Sequence, residues 1–341
     1  MPGRVVITVN ETEKNNAGPK AKTDIDKILK NKEGFQVLNL AFNWHSKFLK
    51  LRYITWDIPH LMRTIDADEI FFQFPSYSRT LMDSFVNNVR HYTDAKLIFI
   101  VHDLESLRNF SYDTTYKPEE LKWLKEADGL IVHNPSMAKW LKGNGVHTPM
   151  VDLGFFDYLN PQPINTNAKL DGSICFAGNL KKAGFLAKLP RELSLDVFGP
   201  NFNAKLQDKV NYKGVYSPDE LPKYLKEDFG LIWDGDSINE CSGLFGNYLR
   251  YNCPHKASLY ISSGLPIIVW KEAAIAEYVE YYGLGYAVKS LSEIPNIVQN
   301  MTEADYISIK KNVLHMAQDL RDGKHIRKAI ESLSVTLNSK K

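Results

Sequence analysis

The chain has 341 residues, of which 44% are hydrophobic, 12% aromatic and 24% charged. That is too long for one ordinary core and suits two domains of roughly 150–200 residues each, and the aromatic content excludes a largely disordered chain. Lys+Arg is 42 against Asp+Glu 40, a net charge of +2, so the global basic field of a nucleic-acid binder is missing.

Residues 1–9 hold a short apolar run followed at once by Asn10, Glu11, Glu13 and Lys14, which is not a signal peptide. No apolar run approaches the roughly 20 residues of a membrane-spanning helix. The expected compartment is the cytoplasm, including the inner face of a membrane. Cys175, Cys241 and Cys253 are the only cysteines. They lack CxxC spacing, which argues against a disulfide framework or a structural zinc site.

In chain order, residues 4–8 read as a strand and 23–29 as a helix, with a loop between them. Residues 35–38 are extended and apolar. Residues 69–72 and 96–101 are continuous apolar runs, as strands of a parallel sheet require, and 78–92 between them has helical spacing. Pro118 opens a helix with acidic residues in its first turn. Residues 129–132 form a strand, after which Asn134 caps a helix started by Pro135. Residues 157–171 are rich in Pro and Asn and read as a linker.

A second alternating series follows. Residues 173–176, 194–198, 210–212, 230–233 and 266–270 read as strands. Ser217 and Glu220 form a capping box for a helix over 218–226. Another helix runs from about 252 to 263 and ends at Gly264. Helices are expected at 273–281, 291–301, 303–320 and 325–337. The fold class is α/β, with two doubly wound domains facing a cleft: residues 1–157, residues 172–320, and a terminal helix over 321–341. Ligands in such sheets bind beyond the carboxyl ends of the strands.

Five strand-end segments are candidates for chemistry. Residues 15–24, with Gly18, Lys20 and Lys22, read as an anion or acceptor loop, or as a solvated loop with scattered lysines. His102 and Asp103 follow the strongest strand of the first half. Either one suits a general base, while the bland alternative has Asp103 capping the next helix and His102 satisfied in the core. His133 lines the same edge, although a helix start also explains it. Asn179, Lys181 and Lys182 follow the first strand of the second half and suit a diphosphate, without forming a GxGxxG or P-loop.

The fourth segment, 233–256, is a long polar connection of the kind that tends to be functional. It ends in His255 and Lys256 at a helix start, where a lysine adds to the dipole's positive charge and so needs a compensating anion. That combination suits a phosphate leaving group. Asp234-Gly235-Asp236 admits a metal-binding reading. A metal-free role, bonding donor sugar or ordering the loop, is preferred because Lys256 and the helix dipole can neutralise phosphate. Fifth, Glu277 lies inside a helix after a strand, placed either to hold ribose hydroxyls or simply to be solvated.

The run from Phe229 through Asp234, Asp236, Cys241, Phe245, Tyr248 and Asn252 to Lys256 resembles the β-1,6-galactofuranosyltransferases of O-antigen assembly. So do Gly18 with Lys20, His102-Asp103, His133-Asn134-Pro135, Gly178-Asn179 and Gly285-Tyr286. The second half, with Tyr216 to Glu220, Lys256 and Gly264 to Pro266, is also similar to the accessory glucosyltransferases that extend glycans on serine-rich adhesins.

This resemblance implies a GT-B architecture, a UDP-sugar donor and no metal or other cofactor. It places Tyr216, Lys256 and one of Lys181 or Lys182 on UDP. It also implies inversion, which needs one base on the acceptor hydroxyl; Asp103 is the expected base, with His102 as neighbour or substitute. Homo-oligomerisation is suggested by the relatives alone. The expected partners are a UDP-sugar and a glycan acceptor, with no nucleic acid. The rivals are a hexopyranosyltransferase, a non-catalytic UDP-binding partner of another transferase, and an NAD-dependent epimerase. The last lacks its glycine fingerprint.

Overall fold

The computed structural model describes residues 3–10, 17–41, 46–76 and 78–339. It divides into two compact units, Met1–Leu153 with Ile326–Lys341 and Gly154–His325.

The first unit carries β1 (Arg4–Asn10), β2 (Gln36–Ala41), β3 (Glu69–Phe74), β4 (Lys96–Val101), β5 (Gly129–Val132) and β6 (Met150–Asp152). The second carries β7 (Ile174–Ala177), β8 (Asp196–Phe198), β9 (Asn211–Gly214), β10 (Phe229–Ile232), β11 (Ile267–Trp270) and β12 (Gly285–Val288). Their orders are β2-β1-β3-β4-β5-β6 and β12-β11-β10-β7-β8-β9, and every pairing is parallel. Both faces of such sheets must be covered, which is why Ile98–Val101 and Ile267–Val269 are at most 1% exposed. Strand order reverses between β1 and β3 in one unit and between β7 and β10 in the other. Those reversals are where doubly wound sheets open a crevice for ligands.

The differences from the sequence reading have local causes. The first helix is Ala17–Glu33, not 23–29, because Pro19 is tolerated in a first turn whose N–H groups are unbonded anyway. Buried Ala21, Ile25, Ile28 and Leu29 keep a helical period along it. The helix expected over 218–226 shrinks to a 3-10 turn, Leu221–Lys223. Pro222 lacks the N–H that a continuing helix would use, and Ser217 Oγ simply donates to Glu220 Oε2 at 2.7 Å. The helix expected over 252–263 begins only at His255, because Pro254 is extended.

Three abutting helical pieces, Lys47–Arg52, Tyr53–Asp57 and Ile58–Thr64, were not read from the sequence. Neither were β6 and β12. The terminal helix Lys324–Asn338 joins the first unit: Arg327 Nε bonds Glu33 at 2.7 Å, and Leu333 packs against Gly129.

Gly230 carries a prediction about stability. It lies in β10 directly over the ring of Tyr260, which is 0% exposed, and an added Cβ would fall 2.2 Å from Tyr260 Cγ. Tyr260 cannot retreat without releasing the Ala177 N–H that donates to its hydroxyl at 2.6 Å. Gly230→Ala is expected to cost about 3 kcal/mol by overpacking, seen as a lowered urea midpoint. An unchanged midpoint would show that the ring moves freely.

Candidate active site

In the second unit, the loops after β7 and β10 flank the strand reversal and are bonded to each other. Phe185 N–H donates to Gly235 O at 3.0 Å, and Gly235 N–H to Lys182 O at 3.3 Å. One glycine permits this approach: a Cβ on Gly184 would sit 2.0 Å from Asp236 Oδ1.

Lys256 stands in the first turn of the helix His255–Ser262. Its Nζ donates to Asp234 Oδ1 at 3.0 Å and lies 4.7 Å from the Phe176 ring centroid. Both side chains are partly buried, 17% and 18% exposed. The anion that the helix-terminal lysine requires is therefore Asp234, at the end of β10. Asp236 departs from it: its N–H bonds Ser242 Oγ at 3.2 Å, and its carboxylate packs against Gly184. Among the described residues, no three His, Cys, Asp or Glu side chains gather as a metal-ligand group.

The remaining donor-side candidates spread around this pair. Asn179 caps the following turn, accepting from Lys181 N at 3.1 Å and Asn201 Nδ2 at 2.9 Å. Lys181 and Lys182 are both exposed, and the Lys182 ammonium sits 3.6 Å over the Phe245 ring. Tyr216 stacks on Tyr224 with centroids 3.9 Å apart. His255 stacks on Tyr158 at 4.9 Å and meets the Phe156 ring edge-on at 6.1 Å. Glu277 is exposed in the first turn of Ala276–Tyr282.

A cavity of about 620 Å³ lined by Asp171, Glu192, Asp196 and Val298 lies near the start of β7 and β8. That is the opposite end of the strands, so it is no part of this group.

In the first unit, Gly18 and Lys20 belong to a helix and not to the expected loop; residues 15 and 16 lie outside the described residues. Lys20 Nζ is paired with the buried Asp24 at 2.8 Å. His133 follows β5. It is 1% exposed, its ring is bonded to the backbone of Val101 and His102, and burial pushes its pKa down to about 4. Its neutral ring braces the ends of β4 and β5.

Asp103 does not cap the next turn, whose cap is Leu104. Its carboxylate pairs with Arg108, which also reaches Glu105 at 3.3 Å. The turn is braced from below by Glu120, which accepts from Glu105 N at 2.7 Å and Ser106 N at 3.2 Å. Burial pushes both glutamates up to about 7.

His102 is buried, and its Nε2 lies 2.8 Å from Gln73 Oε1. The Gln73 amide nitrogen donates to Asp26 Oδ1 at 2.7 Å and Thr8 Oγ1 at 2.8 Å, with Lys22 O at 3.0 Å. With its nitrogen committed to these acceptors, Gln73 presents only its oxygen to His102. The imidazole therefore carries its proton on Nε2, and Nδ1 is the basic nitrogen of the neutral ring. Sequence reasoning missed Gln73; its one signal was a lone polar residue inside the apolar strand β3.

Solved structures share this two-unit architecture. A structure from Escherichia coli bound with UDP-2-fluoro glucose matches at TM-score 0.58 and 11% identity, covering 97% of this chain and 99% of that one. An α,α-trehalose-phosphate synthase (UDP-forming) from Burkholderia xenovorans matches at TM-score 0.63 and 11% identity, covering 97% and 100%. The fold is thus that of a GT-B glycosyltransferase, two Rossmann-like units in one chain.

Residues 4–155 and 174–333 match the N-terminal and C-terminal domains described as glucosyltransferase 3-like. The chain belongs to that family and is a glycosyltransferase. Its relatives include the β-1,6-galactofuranosyltransferase WbbI of Escherichia coli, 30% identical over 323 residues, covering 93% of this chain and 94% of the relative. Glucosyltransferase 3 of Streptococcus parasanguinis is 28% identical over 267 residues, covering 77% and 78%. No helix among the described residues is long and apolar enough to cross a membrane.

Proposed function

We propose that the chain transfers galactofuranose from a UDP-sugar to a surface-glycan acceptor, without a metal and with inversion at the anomeric carbon. The observation that carries the donor site is Lys256 seated at a helix N-terminus beside the β7–β10 reversal. It combines a full positive charge with the positive end of the helix dipole, which together stabilise a departing diphosphate. In this reading Tyr216, Asn179 and Lys181 or Lys182 complete the UDP contacts, and Glu277 takes the ribose.

Asp234 is tied to the Lys256 ammonium, so a cation of the protein already occupies its carboxylate. That supports a metal-free role for Asp234-Gly235-Asp236. Galactofuranose is favoured over a hexopyranose by the 30% identity to the galactofuranosyltransferase over nearly the whole chain. Inversion follows from the β product that this relative's name implies, given an α-linked donor. It assigns one base to the acceptor hydroxyl, Asp103 of the first unit with His102 beside it.

The test is transfer from UDP-galactofuranose, UDP-galactopyranose and UDP-glucose to a panel of glycosides, with and without EDTA. The expected outcome is product from UDP-galactofuranose alone, β-linked and unaffected by EDTA. Preference for UDP-glucose would make the hexopyranosyl reading correct, and EDTA inhibition reversed by Mn²⁺ would restore the metal site.

A further inference from the structure

In the first unit, Phe48, Leu51 and Trp56 are 76%, 60% and 68% exposed. Single exposed apolar side chains are ordinary. Here three fall within nine residues, in the pieces Lys47–Arg52 and Tyr53–Asp57, neither of which buries any residue. The segment is nevertheless fixed to the fold. Ser46 caps its start, accepting from Leu49 N at 3.2 Å, and Ser84 Oγ donates to Ile54 O at 2.9 Å. Ile58 and Met62, 0% and 1% exposed, root the piece that follows. Among the described residues, an apolar face is therefore held out on a fixed support, with the Trp56 ring stacked on His60 of the following piece, centroids 6.4 Å apart.

Its charges indicate what covers it. Lys47 and Lys50 alternate with Phe48, Leu49 and Leu51, and Arg52 and Arg63 follow. Asp57, the one acid between Lys47 and Thr64, is paired with Arg52 at 3.2 Å. The cores of protein–protein interfaces are depleted of lysine. Helices that lie in a bilayer interface instead combine Trp, Phe and Leu with flanking Lys and Arg, and tryptophan favours the headgroup level.

We propose that residues 47–56 dock on the headgroup region of an anionic phospholipid bilayer, with Phe48, Leu51 and Trp56 inserted and Lys47 and Lys50 against phosphate. One short apolar face gives reversible association, not permanent anchoring. The proposal is independent of which sugar is transferred, and its test uses no donor.

The full chain is floated with vesicles of phosphatidylcholine alone or mixed with phosphatidylglycerol, at low and high salt. Binding is expected only to the anionic vesicles and is expected to weaken with salt. K47E/K50E should lower it roughly ten-fold or more, and F48S/L51S/W56S should abolish it. Both variants replace exposed or half-exposed side chains, so their melting curves should overlay the wild type. Sedimentation velocity reports whether the face joins two copies instead. Absent binding to anionic vesicles, equal binding by both variants, or a wild-type oligomer dissolved by the serine substitutions would each overturn the proposal.

Discussion

Lys256→Ala is expected to lower kcat/KM by about 10²–10³-fold, the usual cost of removing one group that stabilises charge developing on a leaving group. The size follows from position. Lys256 is partly buried, lies over the Phe176 ring and adds its charge to a helix N-terminus. Truncation also strips Asp234 of its partner, leaving a carboxylate whose charge repels diphosphate. The Lys256→Ala/Asp234→Asn double variant should therefore recover part of the loss. Some stability should be lost as well, since the pair is only 17% and 18% exposed and truncation leaves Asp234 without its partner. Wild-type turnover in a folded Lys256→Ala variant would remove the donor site from this edge of the sheet.

Asp103→Asn should lower kcat by about 10²–10⁴-fold, the range for losing a general base, while leaving the donor KM nearly unchanged. The substitution keeps the side-chain shape. Arg108 retains Glu105 at 3.3 Å, and Glu120 still holds the turn through two backbone N–H groups. If Asp103→Asn is nearly silent and His102→Ala is not, the base is His102, acting through the nitrogen that Gln73 leaves unprotonated.

Much of the architecture was legible because parallel sheets demand continuous apolar runs. Residues 96–101 and 266–270 announced strands, and the residues just beyond strand ends were the natural place to seek chemistry. The Lys256 argument went further, because a lysine at a helix start implies an anion. Which anion was not legible, since pairing Asp234 with Lys256 depends on how the ends of β10 and the next helix meet in space.

The burial of His133 was not legible, because a histidine at a strand end reads the same whether it faces solvent or the core. Pro222 was underweighted against the Ser217–Glu220 spacing. The helical pieces between Lys47 and Thr64 escaped because two of them bury nothing, so the core-facing period that reveals most helices is missing there.

The most direct measurement is calorimetric titration of UDP into the wild type, Lys256→Ala and Asp103→Asn. The account predicts UDP binding to the wild type, binding weakened at least about ten-fold by Lys256→Ala, and unaltered binding to Asp103→Asn. UDP binding that survives Lys256→Ala but is lost in Asp103→Asn would contradict the assignment of donor and base to their respective units.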